Sequence, residues 1–165
     1  MTARSLRALV TCLGASAVAG VTGGVAARNA PQVYARLDKP RWAPPAAVFG
    51  PVWSTLYVLM GVAAWRVWRT DRGRVPLVLH GIQLALNAAW PAVFFAAGGR
   101  RTALAVTAAL DAVLAAEIAT AARVDRRAAA MLVPYLAWSL YATALTAAVR
   151  DPAPTGPAAS LCMRR

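Results

Sequence analysis

The sequence predicts an all-α membrane protein, a bundle of five transmembrane helices. The chain is 59% hydrophobic and only 15% charged, whereas soluble domains are roughly 45–50% apolar and about 25% charged. The charges are also clustered, and each apolar interval between clusters is long enough to cross a hydrocarbon core, which takes about 20 helical residues. Four intervals lack charged residues and the fourth in chain order holds only Asp111 and Glu117: 8–27, 42–65, 75–99, 102–122 and 128–149.

The chain reads as one domain, 1–150, followed by a flexible tail, 151–165, which is rich in Pro and Ala. The first apolar run exceeds the roughly 7–15 residues of a signal-peptide core, so we expect a retained helix. Nine basic residues fall on each side of the bundle, so the positive-inside rule leaves the topology open. Helices are expected at 6–27, 44–68, 75–98, 102–122 and 127–149, with short connections except for 28–43.

The net charge of +12 does not indicate a nucleic-acid partner. The arginines lie near the ends of the apolar stretches, which suits snorkelling to lipid headgroups, and they form no basic helix or RNA-binding motif. His, Cys, Asp and Glu show no metal-ligand or catalytic spacing, so no metal site and no required cofactor is predicted. Seventeen arginines against one lysine, with abundant alanine, indicate a GC-rich bacterial genome and therefore a bacterial membrane.

Small and polar residues mark two helices for close packing. Ser16, Gly20 and Gly24 form a ladder on the first helix, which serves either intramolecular packing or dimerisation. At 100° per residue, one face of the third helix is polar and aromatic, and the opposite face is an alanine stripe that permits a close helix contact within the chain or with a second subunit. The polar face holds His80, Gln83, Asn87, Trp90 and Phe94, and the stripe holds Ala85, Ala89, Ala92 and Ala96.

The polar face should point into the bundle, where Gln83 and Asn87 act either as interhelical glue or as ligand contacts. His80 lies near the predicted membrane edge, so an interfacial position is expected. Asp111 and Glu117 lie about 120° apart around the fourth helix, which disfavours a carboxylate pair, and a structural polar contact is expected for Asp111.

The second helix carries prolines and an aromatic stripe. Pro44 and Pro45 suit a helix start, and Pro51 is expected to kink the helix. Trp65 and Trp68 stand beside arginines, as in an interfacial belt. The stripe of Phe49, Trp53 and Tyr57 has a counterpart in Tyr135 and Trp138 of the last helix. Trp53 belongs either to the other belt or to a pocket in which these rings stack on a flat apolar ligand.

At these residues the sequence resembles the TspO/MBR family of tryptophan-rich sensory proteins and translocator proteins, also called peripheral benzodiazepine receptors. Three motifs occur in order on the predicted helices. They are KPRWAPP (39–45) with FGPVW (49–53), LYVLMG (56–61) and Trp65; QLALN (83–87) with Trp90, Phe94 and Phe95; and PYLAW (134–138) with ATAL (142–145).

The resemblance implies a five-helix bundle, often a homodimer, with a cavity near the first loop that binds protoporphyrin IX or a related hydrophobic molecule. By carry-over, Trp53, Asn87 and Trp138 would contact the ligand, Trp42 and Pro45 would belong to a lid, and Tyr57 and Ala142 would be wall positions. With the residues of the aromatic stripes, the predicted ligand-binding set is Trp42, Pro45, Phe49, Trp53, Tyr57, Asn87, Trp90, Tyr135, Trp138 and Ala142. Cholesterol binding has poor support, since the Leu/Val, Tyr, Lys/Arg motif lacks its Tyr in LTAAVR (145–150).

Three functional hypotheses follow. The first is a receptor, scavenger or transporter of porphyrins in tetrapyrrole metabolism, and the sequence shows no internal repeat or coupling-ion site that would favour active transport. The second is a light-dependent porphyrin-degrading enzyme in which Trp53 and Trp138 are the redox-active residues. The third is a structural membrane protein whose aromatic residues only pack.

Overall fold

The computed structural model describes residues 2–95 and 100–149, except for the side chains of Phe95 and Arg100. The predicted tail, the end of the third predicted helix beyond residue 95, and the Phe95 side chain of the family motif lie outside the described residues. Within them the chain forms five long helices and one short helix: α1 (Ala3–Ala26), α2 (Ala30–Arg36), α3 (Phe49–Trp68), α4 (Arg74–Phe95), α5 (Arg100–Ala122) and α6 (Arg126–Ala148).

The five long helices are each long and apolar enough to cross a membrane. Their outward faces carry large apolar residues such as Val10, Val18, Val58, Val78 and Leu140, all more than half exposed. Such faces suit lipid rather than water, and the chain is a multi-pass integral membrane protein. The predicted fold class is therefore confirmed.

The interior of the bundle is packed where all five helices converge. α4 packs extensively on α5 and α5 on α6, while α1 lies against α3 and α4, and α3 also contacts α6. Met60, Leu114, Leu132 and Tyr135 are completely buried in this core. Ala85, Ala89 and Ala92 of the predicted alanine stripe are exposed on the outside of the single chain, so a second subunit at this face stays a prediction.

Two features of the α1–α3 connection differ from the prediction. The segment expected to be a loop contains α2, which begins with Pro31 in its first turn, where a missing N–H costs no helical hydrogen bond. Pro44 and Pro45 precede a 3₁₀ turn (Ala46–Val48) rather than starting α3. Pro51 therefore lies in the first turn of α3, where it removes none of the helix's own hydrogen bonds, and the prediction of a kink there is wrong.

His80 lies inside the bundle, six residues after α4 begins, and its expected level at the membrane edge stays a prediction. Its side chain is buried, with a relative exposure of 6%, and its Nδ1 lies 2.8 Å from Oε1 of the buried Glu117. The one-turn spacing of the polar face turns His80 inward together with Gln83 and Asn87, and a buried imidazole needs a polar partner. Asp111 makes the expected structural contact, accepting a hydrogen bond of 2.8 Å from Thr143.

Asp125 fastens the α5–α6 turn to α3. Its carboxylate caps α6 by accepting from the N–H groups of Arg127 and Ala128 at 2.9 and 3.0 Å, and it pairs with Arg66 at 2.8 Å. Burial acts to raise the pKa of this carboxyl, but the Ala128 N–H, the Arg66 guanidinium and the Arg127 N–H outweigh burial and lower the pKa below its usual range.

Two substitutions of Asp125 distinguish the contribution of the helix cap to stability from that of the ion pair. Asp125→Ala removes both, and we expect it to cost about 1–2 kcal/mol, whereas Asp125→Asn keeps a capping oxygen and should cost less than about 1 kcal/mol. Because the folded-state pKa is lowered, the stabilisation is complete above the usual aspartate pKa of about 3.9 and is lost as the pH falls through the lower folded-state value. Thermal unfolding in detergent, followed by circular dichroism at pH 7 and pH 3, measures both effects. Equal melting temperatures for wild type and Asp125→Ala at pH 7 would contradict the assignment.

Candidate functional site: an aromatic cavity at one end of the bundle

A cavity of about 430 Å³ opens among the helices at the end of the bundle where the α1–α3 connection lies. Its walls come from the C-terminal halves of α1, α4 and α6 and from the N-terminal parts of α3 and α5, while α2 lies across one side. The lining is mainly aromatic and small apolar residues, with few polar groups. This composition is typical of sites for small hydrophobic molecules, which commonly occupy about 300–1,000 Å³.

Most of the predicted ligand-binding residues meet at this cavity. Seven of the ten predicted residues line it: Phe49, Trp53, Tyr57, Asn87, Trp90, Trp138 and Ala142. Tyr135 lies behind the wall, completely buried, and touches Trp53 edge-on with ring centroids 6.0 Å apart. Trp42 and Pro45 lie in the segment between α2 and α3 and do not line the cavity. Their assignment as ligand contacts stays a prediction.

Asn87 joins the two tyrosines at the base of the cavity. Its Oδ1 accepts a hydrogen bond of 2.6 Å from the Tyr57 hydroxyl, and its Nδ2 donates one of 2.8 Å to the Tyr135 hydroxyl. Both ends of the amide are therefore engaged by α3 and α6, which leaves it less free for a ligand than its position suggests. Of the two roles left open for Asn87, the structure shows the interhelical one: its amide holds Tyr57 and Tyr135 in place.

Tyr57 is held on a second side by α1. A Cβ atom placed on Gly20 would lie 2.8 Å from Cε2 of the Tyr57 ring, closer than real Cβ atoms approach. The ring also stacks on Trp53, with centroids 5.6 Å apart and an interplanar angle of 29°. Gly20 therefore serves intramolecular packing, one of the two alternatives that the small-residue ladder left open.

The aromatic rings of α6 continue the wall towards the connection. Trp138 meets Phe49 edge-on at 5.7 Å and stacks on Tyr141 at 5.5 Å. Its indole Nε1 is buried and has no hydrogen-bond partner among residues 2–95 and 100–149. Because this N–H is not accessible from the cavity, Trp138 presents its ring, and not its donor, to a bound molecule.

The segment between α2 and α3 is fixed over the cavity by two tyrosine hydroxyls. Tyr34, a lining residue, donates to the Pro44 carbonyl at 2.8 Å, and Tyr141 donates to the Trp42 carbonyl at 3.0 Å. Burial, and after it the nearby Tyr141, raises the pKa of Tyr34 above its usual value, so its hydroxyl remains a donor.

Lys39 lies just beyond the C-terminal end of α2 and binds its last carbonyl groups. Its Nζ donates to the carbonyls of Tyr34 and Leu37 at 2.6 and 3.0 Å and lies 4.9 Å from the centroid of the Tyr34 ring. A lysine at the C-terminus of a helix satisfies carbonyls that have no helical partner. Its charge is therefore used within the segment.

Sequence reasoning missed several lining residues. Those of α2 gave no signal, because a seven-residue helix between prolines shows too little periodicity to be recognised. Thr107 and Leu110 of α5 belong to a stretch whose apolar composition is nearly uniform around the helix. Gly23 could have been found, since its position beside the Ser16, Gly20 and Gly24 ladder places it on the same side of α1. Within the described part of the chain, no three His, Cys, Asp or Glu side chains are grouped to hold a metal ion.

Five spanning helices around an aromatic cavity define a polytopic membrane protein with an internal site near one membrane face. The TspO/MBR family profile matches residues 10–150, and the chain belongs to this family. The chain is 44% identical to the translocator protein of Homo sapiens over 117 residues, which is 68% of this chain and 69% of the relative. It is 33% identical over 147 residues to the tryptophan-rich protein TspO of Chlorobaculum tepidum, covering 86% and 93%, and 39% identical over 112 residues to the tryptophan-rich sensory protein of Cereibacter sphaeroides, covering 68% and 71%.

The contact between Gly20 and Tyr57 predicts a large difference between two glycines of α1 that both line the cavity. Gly20→Ala forces a methyl group into the Tyr57 ring and should destabilise the protein by about 1–3 kcal/mol. Gly24→Ala meets nothing within 4 Å, so it should be neutral or stabilising by up to about 1 kcal/mol, because alanine is the better helix former. Thermal unfolding of the two variants side by side measures the difference. A Gly20→Ala protein as stable as Gly24→Ala would show that Tyr57 is not wedged against α1.

Proposed function

We propose that the protein binds a porphyrin such as protoporphyrin IX in the aromatic cavity and acts as a membrane receptor or scavenger for it. The observation that carries the proposal is the set of aromatic rings from three helices that line the cavity: Phe49, Trp53, Trp90 and Trp138. These rings supply flat apolar surface on which a planar ligand can stack.

The charges near the cavity suit a ligand with carboxylates. Arg28 directly follows the lining residue Ala27, and Arg36 directly precedes the lining residue Leu37; both arginines are exposed. Guanidinium groups pair well with carboxylates, and protoporphyrin carries two propionates. A flat ring in the cavity with its propionates directed towards α2 would therefore match both the apolar lining and the basic rim.

A fluorescence titration in the dark tests this proposal. Protoporphyrin IX is added to the purified full chain in detergent and tryptophan quenching is followed; saturable binding is expected. Trp138→Phe replaces the indole by a smaller ring and so removes part of the stacking surface; we expect the Kd to rise severalfold, since an aromatic contact contributes about 0.5–1.5 kcal/mol. Asn87→Ala should also weaken binding, because it releases Tyr57 and Tyr135.

Trp68→Phe is the matched control. It also removes one indole, but Trp68 lies at the far end of α3 beneath Arg4, with the guanidinium carbon 5.6 Å from the ring, and does not line the cavity. Its Kd should equal that of the wild type. Quenching that never saturates, or that is identical in Trp138→Phe and Trp68→Phe, would place the porphyrin in the detergent and not in the cavity.

Light-dependent degradation of the bound porphyrin is a second candidate, favoured by the contiguous redox-active rings at the cavity. Trp53 stacks on Tyr57 and touches Tyr135, so an electron taken from one ring can be shared among neighbours. Dioxygen would be the oxidant and the excited porphyrin the substrate.

Illumination of the air-saturated complex distinguishes the two candidates. An enzyme should convert the porphyrin to a product with a new absorption spectrum, and Trp53→Phe should slow this conversion at least tenfold at full porphyrin occupancy. The same rate in Trp53→Phe, or in protein-free detergent, would leave binding as the only activity.

A further inference from the structure

A histidine and a glutamate form a buried pair inside the bundle, apart from the cavity lining. His80 of α4 and Glu117 of α5 are 6% and 3% exposed, and Nδ1 lies 2.8 Å from Oε1. Both helices cross the membrane, where ionisable side chains are costly to bury and occur mainly at functional positions.

The distance between these atoms fixes a minimum number of protons. A ring nitrogen and a carboxylate oxygen at 2.8 Å need a hydrogen between them, because each would otherwise direct a lone pair at the other. With that single proton the pair carries one negative charge. A second proton makes it neutral overall, either as imidazolium with carboxylate or as imidazole with carboxylic acid, and burial favours the neutral states.

No nearby cation provides the missing charge. In the described ranges no arginine or lysine forms an ion pair with Glu117, and Arg66 of α3 is engaged by Asp125 at 2.8 Å. On α6, Tyr135 is completely buried and its hydroxyl accepts the hydrogen bond of Asn87.

Within the described residues, the ion pairs and hydrogen bonds of His80 and Glu117 include no charged side chain of a third helix. On α3 the Met60 thioether lies 3.6 Å from Gln83 Nε2, and the Tyr57 hydroxyl is bonded to Asn87. On α1 the apolar stretch 8–26 has no charged residue, and Cys12 is its only titratable side chain. A proton is therefore the available source of positive charge for the pair.

The pair has vacant positions for this second proton. His80 Nε2 and Glu117 Oε2 are both buried and make no hydrogen bond within the described residues, and Gln83 Oε1 is in the same condition. Gln83 Nε2 lies 3.2 Å from His80 Nδ1 and 3.6 Å from Met60 Sδ, so this amide packs against the imidazole. Nδ1 shares its one proton with Glu117 and has no second position for a hydrogen bond from Gln83. Buried polar atoms of this kind usually bind a proton, a water molecule or another polar group.

We propose that His80 and Glu117 form a reversible proton-binding site inside the bundle. The vacant His80 Nε2 and Glu117 Oε2 are the atoms that take the second proton. The site lies on the same face of α4 as the cavity residue Asn87, which is about two turns from His80.

The sequence makes a direct test possible, because His80 is the only histidine and Glu117 the only glutamate in the chain. The full-length protein, purified with a tag that lacks histidine, is labelled with ¹⁵N-histidine and ¹³C-carboxyl-glutamate and placed in lipid nanodiscs. NMR spectra of the imidazole nitrogens and the glutamate carboxyl carbon between pH 5 and pH 9 then report the pair without any substitution. We expect one transition, corresponding to one proton, in at least one of the two signals.

Two variants separate the pair from its surroundings. Glu117→Gln leaves a buried imidazolium without a counter-charge, so its ring should stay neutral over the whole range. Asp111→Asn removes the other carboxylate of α5, which is half-buried, and should keep the transition within about half a pH unit of the wild type.

Constant histidine and glutamate signals from pH 5 to pH 9 in the wild type would overturn the proposal and leave a purely structural contact. An unchanged transition in Glu117→Gln would overturn it as well. If that variant fails to fold, the two labels in the wild-type chain still decide the question.

Discussion

The architecture around the cavity depends on one side-chain amide. Asn87 of α4 accepts from Tyr57 of α3 and donates to Tyr135 of α6, so three helices meet at a single polar group. In a bilayer the hydrophobic effect does not drive helices together, and small-residue contacts and interhelical hydrogen bonds decide their arrangement. Gly20 of α1 joins the same point from the other side, because its missing side chain admits the Tyr57 ring. The cavity begins where this four-helix contact ends.

The inner face of α4 carries two different kinds of chemistry along one line. Near the cavity, Asn87 is neutral and both of its ends are satisfied. One turn further, Gln83 reaches His80, and the imidazole reaches Glu117 across the interface with α5. The first contact costs little to bury, whereas the second introduces ionisable groups whose stable protonation state depends on how many protons they share. The cavity residue Asn87 and the buried His80–Glu117 pair therefore share one face of α4, about two turns apart.

The sequence predicts those parts of the fold that depend on physical effects within one segment. Charge-free intervals set the spans, since a charged residue inside a bilayer is costly wherever the helix packs, and the five helices follow from that pattern. The aromatic stripe of Phe49, Trp53 and Tyr57 is likewise a property of one helix, and it reaches the cavity as its period predicts. The features that the sequence does not predict depend on a contact with, or the conformation of, a second segment. The kink predicted at Pro51 is absent because the 3₁₀ turn delays the start of α3, and the contact of His80 with Glu117 is not predicted because the two residues lie 37 positions apart.

Tryptophans show why a residue type alone does not identify a site. Trp65 and Trp138 both lie on membrane-spanning helices and both are partly buried. The Trp65 indole donates to the Ser5 carbonyl at 3.0 Å, and its ring lies beneath Arg69 at 4.9 Å, so its polar and aromatic capacities are used at the end of the bundle. Trp138 instead lines the cavity, while its indole Nε1 is buried and meets no acceptor within the described chain. The ring of Trp138 is therefore available to a molecule that enters the cavity, whereas the ring of Trp65 is covered by a guanidinium group. This difference in what covers the ring, and not the number of tryptophans, is what sets the cavity apart from the rest of the bundle.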